Sequence, residues 1–162
     1  IHPRVLKDFY KYNVRMNAFK EGFEKSRHSV CYNGDIFRRK DYDRLVKEYP
    51  DLDKIMMGRG IMMNPFLMEE IADGTSQKVS GKMSAARKAD RLEKFHRLLC
   101  DGYTHVMSGD RPVLFKMKEL WGFLIHSCPE EEKLMKKIRK AQHLAEYEGV
   151  VSELFCRMRE HE

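Results

Sequence analysis

Two segments of the chain decide its fold, Val30-Cys31-Tyr32-Asn33-Gly34-Asp35 and Lys54-Ile55-Met56-Met57-Gly58-Arg59-Gly60-Ile61. Each begins with a short apolar run that is typical of a strand, ends in glycine and polar residues, and precedes a predicted helix. A strand, a turn and a helix in this order, repeated, form the βα units of a parallel sheet. The loops that follow neighbouring parallel strands meet at one edge, where phosphate groups bind. The two segments therefore predict a pocket for a phosphorylated cofactor.

The residues around these segments predict an α/β layer that is only part of a larger sheet. Helices are predicted at about 15–25, 41–49 and 65–71, strands at 29–32 and 54–57, and a loop between the second strand and the third helix. Asn64 followed by Pro65 suits the start of that third helix. Ile1-His2-Pro3-Arg4 reads as the end of a strand that enters a loop. Because two parallel strands leave both edges unpaired, we expect residues 1–75 to be the last part of a larger barrel or open sheet.

The second half of the chain is predicted to be helical. Residues 76–83 are polar and contain glycine, which predicts a linker, and residues 84–162 are predicted to form a small antiparallel helical bundle. The first helix, to about Met107, carries an apolar stripe made of Ala89, Leu92, Phe95, Leu99, Tyr103 and Val106. The other helices begin at Asp110-Arg111-Pro112, at Cys128-Pro129 and at about His143, and the last of them is expected to loosen at Gly149.

Composition excludes some classes of protein and leaves others open. The chain has 162 residues, 42% of them hydrophobic and 35% charged, which is typical of a soluble globular protein. It has no apolar run long enough to span a bilayer and no leader sequence at the start, so a cytoplasmic location is expected. Its four cysteines lack paired spacing, which argues against a zinc site or a disulfide scaffold. The net charge of +6 permits an RNA partner, although such an excess is also common in proteins that bind no nucleic acid.

The two strand ends carry the chemistry. In Asn33-Gly34-Asp35, glycine allows the backbone to approach a ligand, and the asparagine amide both donates and accepts hydrogen bonds. A hairpin is the alternative, since Asn-Gly favours one, but no strand follows Asp35. In Gly58-Arg59-Gly60, accessible backbone N–H groups and a guanidinium suit a phosphate. Such a tripeptide alone is more often an ordinary turn, and its place one βα unit after Asn33 strengthens the interpretation.

In combination these motifs resemble a known family. Asn33-Gly34-Asp35-Ile36, a helix, Ile55-Met56-Met57-Gly58-Arg59-Gly60 and Asn64-Pro65-Phe66-Leu67 resemble the carboxyl-terminal barrel segment of the tRNA-dihydrouridine synthases. The resemblance covers residues 1–72 by motif and 82–162 by a helical appendage. It implies the last βα units of a TIM (β/α)8 barrel followed by a helical tRNA-binding domain. It also implies an FMN enzyme that uses NADPH to reduce the 5,6 double bond of tRNA uridines.

The resemblance assigns roles to individual residues. The residues that it implies for FMN are His2, Asn33, Gly34, Asp35, Gly58 and Arg59, the last two at the phosphate. His2 and Arg4 match the family's His-x-Arg element, although this chain reads His2-Pro3-Arg4-Val5 where the family usually reads His-Gly-Arg-Thr.

For tRNA phosphates the candidates are Arg111, Lys116 and Lys118, together with Arg87, Arg91 and Lys94. The alternative for each of these residues is a solvated charged surface. Trp121 falls on the apolar face of its helix and is expected in the core.

Two elements of the family's site lie upstream of the matching region, namely its general-acid cysteine and a flavin-contacting lysine. Cys31 is expected to be a small buried thiol within a strand and no substitute. The isolated chain is therefore expected to have negligible reductase activity. Two other classes stay open: a different FMN-binding barrel such as a dihydroorotate dehydrogenase-like enzyme, and a non-enzymatic helical RNA-binding module.

Overall fold

The computed structural model describes residues 1–8, 11–75 and 83–160. The chain divides into two compact units, Ile1–Lys78 and Val79–Glu162. The linker predicted over 76–83 lies outside the described residues except for its last position. Each unit is described by itself.

The first unit contains the predicted βα repeat. Its elements are the 3₁₀ turn Leu6–Asp8, α1 (Met16–Lys25), β1 (Cys31–Asn33), α2 (Arg39–Glu48), β2 (Lys54–Met56), α3 (Gly58–Met63) and α4 (Leu67–Thr75). The two strands are parallel, with Tyr32 opposite Ile55 and Asn33 opposite Met56. A hairpin would make neighbouring strands antiparallel, so the hairpin alternative at Asn33-Gly34 is excluded.

The start of the chain lies beside β1. The Ile1 nitrogen donates to the Cys31 carbonyl at 2.6 Å, and the Asn33 amide donates to the Ile1 carbonyl at 2.9 Å. Ile1 thus bonds to the residues on both sides of Tyr32, and this is the hydrogen-bond pattern of parallel strands. Ile1 therefore bonds to β1 in the parallel pattern on the side away from β2, next to the two-stranded sheet.

An aromatic cluster forms the core between this sheet and its helices. Phe19 of α1 is fully buried, and its ring meets those of Tyr32 and Tyr49 edge to face at 4.8 and 5.1 Å. Side chains alternate between the two faces of a strand, so the neighbours of Tyr32 point the other way. The prediction that Cys31 is buried was therefore wrong: its thiol is exposed, on the same face as Met56, which is 54% exposed.

The segment after β2 differs from the prediction. A loop was predicted between the second strand and the third helix, yet Gly58–Met63 in this region forms the short helix α3. A Cβ atom at Gly60 would lie 2.0 Å from the Ile36 carbonyl oxygen, so glycine allows this turn to pack against the loop that follows β1. The Asn64 side chain accepts from the Phe66 amide at 3.1 Å, as expected at the start of a helix, and α4 begins at Leu67.

The second unit consists of packed helices, as predicted. They are α5 (Ala85–Val106), α6 (Asp110–Leu124), α7 (Glu132–Lys140) and α8 (Leu144–Glu160), with 3₁₀ turns at Ile125–Ser127 and Pro129–Glu131. The loosening expected at Gly149 is absent, since α8 runs through it without a break. Ser84 caps α5 by accepting from the Arg87 amide at 3.3 Å.

The core of this unit contains a histidine, His96, that was not part of the apolar stripe predicted for α5. Trp121 is fully buried, as predicted, and His96 is 5% exposed. The buried face of α5 is made of Ala89, Leu92, His96 and Cys100. The prediction was wrong for Phe95 and Val106, which are 41% and 74% exposed, because successive residues of a helix turn by about 100° and those two lie off that face. Within the described ranges, no helix combines the length and apolarity needed to cross a membrane.

Candidate functional site

A cavity of about 170 Å³ lies where the loops after β1 and β2 meet. The register of the sheet explains its position, because Asn33 and Met56 are partners and the chain turns away from the sheet just after each of them. Its lining residues are His2, Asn33, Gly34, Asp35, Ile36, Phe37, Met56, Gly58, Arg59 and Gly60. All six residues that the sequence singled out for a cofactor are among them. The structure thus brings together positions that are up to 57 residues apart in the chain.

His2 is held by the backbone of the loop it faces. Its Nδ1 lies 2.6 Å from the Asn33 carbonyl oxygen. A carbonyl oxygen only accepts, so Nδ1 carries the proton and donates. This bond fixes the plane of the imidazole ring at the edge of the cavity.

Asp35 is the centre of an ion triad. Its Oδ1 accepts from Arg59 Nη2 at 2.6 Å and from Arg4 Nη1 at 3.1 Å, and its Oδ2 pairs with Arg4 Nη2. Two guanidinium groups therefore surround one carboxylate. With one negative and two positive charges, the triad keeps a net charge of +1, which favours an anion in the cavity.

Arg4 is the member of the triad that sequence reasoning left out of the candidate site. Its side chain is only 4% exposed, and its guanidinium also donates to the Tyr12 carbonyl, at 2.8 Å from Nη2. The signal was present in the His-x-Arg spacing. What the sequence did not show was that Arg4 binds Asp35 and is held away from solvent.

An aromatic residue supports Arg59. The Arg59 guanidinium lies 5.4 Å from the centre of the Phe37 ring, within the range of a cation–π contact. Sequence reasoning missed Phe37, since no spacing marks an aromatic residue in a loop. The Arg59 side chain is 34% exposed, so it is held by Asp35 and Phe37 and still reaches the cavity.

The glycines of the two motifs have different surroundings. A Cβ atom at Gly34 would lie 2.0 Å from the Tyr32 hydroxyl oxygen, whereas one at Gly58 would meet nothing within 4 Å. Gly58 therefore leaves open space beside the first turn of α3, where backbone N–H groups have no partner within the helix. Burial raises the pKa of Tyr32 above its ordinary value, and the charge of Asp35 acts in the same direction.

The basic residues proposed to bind tRNA do not all lie on one face of their helices, unlike the cofactor candidates, which line one cavity. Arg87, Arg91 and Lys94 are exposed and lie at i, i+4 and i+7 on one face of α5. On α6, Arg111 and Lys118 are two turns apart, while Lys116 lies about 140° around the helix from Arg111.

The two lysines of α6 also differ in their contacts. Lys116 pairs with Glu119 at 3.4 Å, and its ammonium lies 5.7 Å from the centre of the Phe115 ring. The Lys118 ammonium donates to the carbonyl of Ala141, just after α7. Lys118 therefore has a structural contact whatever else it binds.

The lining of the cavity contains no cysteine. Among residues 1–8, 11–75 and 83–160, no group of three or more His, Cys, Asp or Glu side chains is placed to hold a metal ion.

Comparison with known proteins identifies the family. A model of the dihydrouridine synthases (Dus) matches residues 1–157, nearly the whole chain. The chain therefore belongs to the dihydrouridine synthase family, and the resemblance seen in its motifs is confirmed. The tRNA-dihydrouridine(47) synthase [NAD(P)(+)] of Aspergillus terreus (strain NIH 2624 / FGSC A1156) is 36% identical over 63 residues, which cover 39% of this chain. The match spans about 8% of the length of that curated relative.

Proposed function

We propose that this chain forms the FMN-phosphate end and the RNA-binding part of an enzyme that reduces uridine to 5,6-dihydrouridine in tRNA, with NADPH as the reductant. Membership of the family supports the class of reaction. One structural observation supports the site: His2, Asn33, Gly34, Asp35, Gly58 and Arg59 line a single cavity with a net positive ion triad. The dihydroorotate dehydrogenase-like alternative has no comparable support.

The residues present fit the phosphate end of FMN. The cavity, at about 170 Å³, is smaller than the roughly 300 to 1,000 Å³ of most pockets that enclose a small molecule, so it suits one end of the nucleotide. Arg59 would bind the phosphate with charge-assisted hydrogen bonds, and Gly58 would let it approach the backbone. FMN, when bound, supplies hydride transfer. The chain's own contribution is to hold and orient it.

We also propose that the first unit is the last part of a TIM barrel. The parallel pair β1 and β2, the backbone bonds of Ile1 to β1 and the exposed face that carries Cys31 and Met56 support this proposal. In such a barrel that face would be covered by further strands.

The helical unit is proposed to bind tRNA through phosphate contacts. Arg87, Arg91 and Lys94 form an exposed row on α5, and Arg111, Lys116 and Lys118 add charge from α6. Phosphate contacts position an RNA without reading its sequence, so these residues are expected to set affinity and its salt dependence. A cytoplasmic location, where tRNA is found, remains part of the proposal.

The proton donor of the reaction is proposed to come from outside these 162 residues, because the family resemblance implies a general-acid cysteine upstream of the matching region. The test is formation of dihydrouridine, measured by mass spectrometry of digested tRNA after incubation with FMN and NADPH. A longer protein that contains this chain together with a cysteine-bearing loop is expected to form it, and the 162-residue chain alone is not. Robust turnover by the chain alone would show that its own residues supply the proton. A non-enzymatic RNA-binding module would bind tRNA and show no affinity for FMN.

A further inference from the structure

The carboxylate of Asp35 is unexpected in a phosphate site. Two negative charges in close proximity repel each other, so a bare aspartate beside the phosphate would weaken binding. Asp35 is 24% exposed and lines the cavity, so it is not remote from the proposed ligand. The role of Asp35 therefore depends on its contacts with Arg4 and Arg59.

Within the triad, Arg4 is buried and held by backbone contacts, whereas Arg59 is exposed enough to reach a ligand. Arg4 is nearly buried and bonded to the Tyr12 carbonyl, and the preceding residue, Pro3, accepts from the Arg15 amide at 2.8 Å. Arg4 in turn holds both oxygens of Asp35. The same Oδ1 that accepts from Arg4 also accepts from Arg59, whose side chain is the most exposed of the three.

We propose that Arg4 and Asp35 are positioning residues that fix the Arg59 guanidinium for the phosphate of a flavin nucleotide. The inference rests on the proposed function. A free arginine side chain has many rotamers, and holding it in one of them before the ligand arrives removes part of the entropy lost on binding. Asp35 reduces the positive charge of the triad by one, and Arg4 restores it. The pair therefore orients Arg59 at no net cost in charge.

A purely structural role of the triad would be to tie the first residues of the chain to the loop after β1. The two roles differ in what they predict for ligands with and without a phosphate. Loss of a structural tie would weaken every flavin equally. Loss of positioning would weaken FMN and leave riboflavin, which has no phosphate, unchanged.

The experiment measures the dissociation constants of FMN and riboflavin for the 162-residue chain by quenching of flavin fluorescence. The variants are Arg59→Gln, Asp35→Asn and Arg4→Gln, with circular dichroism to establish that each is folded. Arg44→Gln is the matched control, because Arg44 also pairs with an aspartate, Asp41 at 3.3 Å, and is 76% exposed outside the cavity. Inorganic phosphate serves as a competitor of FMN.

The wild-type chain is expected to prefer FMN over riboflavin by about tenfold or more, as one charge-assisted hydrogen bond provides. Arg59→Gln should abolish this preference, and Asp35→Asn and Arg4→Gln should each reduce it at least threefold, with riboflavin binding unchanged. Arg44→Gln should keep it. Arg4→Lys retains the charge and loses the planar fork, so it should behave as Arg4→Gln does and replaces that variant if glutamine prevents folding.

The outcomes separate the two proposals. If the wild-type chain shows no preference for FMN, the proposed phosphate site is wrong. If it shows the preference and Asp35→Asn or Arg4→Lys keeps it, the positioning role is wrong while the phosphate site stands. Tighter FMN binding by Asp35→Asn would also overturn the inference, because Asp35 would then act only by repulsion.

Discussion

The hydroxyl of Tyr147 lies 2.5 Å from Nε2 of His96, joining α8 to α5 inside the helical unit. Trp121 Nε1–H donates to the same hydroxyl at 2.8 Å, so the hydroxyl proton is directed to His96, which accepts it as a neutral imidazole. Burial lowers the pKa of His96 to about 4 and raises the pKa of Tyr147 above its ordinary value. This network is a structural feature, since it belongs to the buried core.

Tyr147→Phe is expected to destabilise the helical unit by about 2 to 3 kcal/mol, because it leaves a buried indole N–H and an imidazole nitrogen without their partner. Chemical denaturation followed by circular dichroism measures the change. The control is Tyr103→Phe, because Tyr103 on α5 is only half-buried, and it should alter stability by less than about 0.5 kcal/mol. Equal effects of the two substitutions would show that the network contributes nothing of its own.

Stability of the helical unit is expected to fall as the pH drops from about 6.5 towards 4. In the unfolded chain the pKa of histidine is about 6.5, whereas burial holds that of His96 at about 4, so the unfolded state binds one more proton in this window. The loss is about 1.4 kcal/mol per pH unit and about 3 kcal/mol in total. Denaturation of wild type and His96→Gln at pH 7, 6 and 5 should give a flatter dependence for the variant. Parallel curves would contradict the assignment.

Two cysteines are expected to react rapidly with a thiol reagent and two slowly. Cys31 and Cys156 are exposed, whereas Cys100 and Cys128 are buried, and burial raises the pKa of Cys128 to about 12. Ellman's reagent at pH 8 should therefore give two fast equivalents, because the thiolate is the reacting form. Cys31→Ser should remove one of them. A single fast equivalent in the wild type, unaffected by this substitution, would mean that Cys31 is buried after all.

Substitution by alanine is expected to change stability differently at Gly58 and Gly60, the two glycines in the first turn of α3. Gly60→Ala places a Cβ atom 2.0 Å from the Ile36 carbonyl oxygen and should cost about 1 to 3 kcal/mol, while Gly58→Ala meets open space and should be neutral or stabilising. Thermal unfolding of the two variants measures the difference. If Gly60→Ala were as stable as Gly58→Ala, the close approach of α3 to Ile36 would be refuted.

Lys116 and Lys118 are expected to differ, although only one residue separates them. Lys118→Gln removes a hydrogen bond to the Ala141 carbonyl and should lower stability by about 1 kcal/mol. Lys116→Gln should leave stability within about 0.5 kcal/mol and, if the proposed tRNA contact is correct, weaken tRNA binding and reduce its salt dependence. Filter binding at several salt concentrations and denaturation test the pair. Unchanged tRNA affinity in Lys116→Gln would remove that residue from the proposed interface.

Much of the fold followed from local pattern. Apolar runs before Asn33 and Met57, the apolar spacing of Phe19 and Phe23, and the cap at Asn64 each depend on neighbours within about one turn or one strand. The predictions that were wrong concern burial and close packing. Cys31 and Phe95 were assigned to the interior from their element alone, and which face of a strand or helix is covered depends on what packs against it.

In the candidate site, too, local features were predictable from the sequence and long-range contacts were not. By itself the sequence determined which residues lie at the ends of β1 and β2 and the family to which their motifs belong, because periodicity, turn residues and motif spacing are local. Only the tertiary structure decided that Arg4 pairs with Asp35, that Asp35 holds Arg59, and that the Tyr147 hydroxyl bonds to both His96 and Trp121. These contacts join residues from 24 to 51 positions apart, and a charged or polar side chain finds such a partner only when the packed backbone brings the two together.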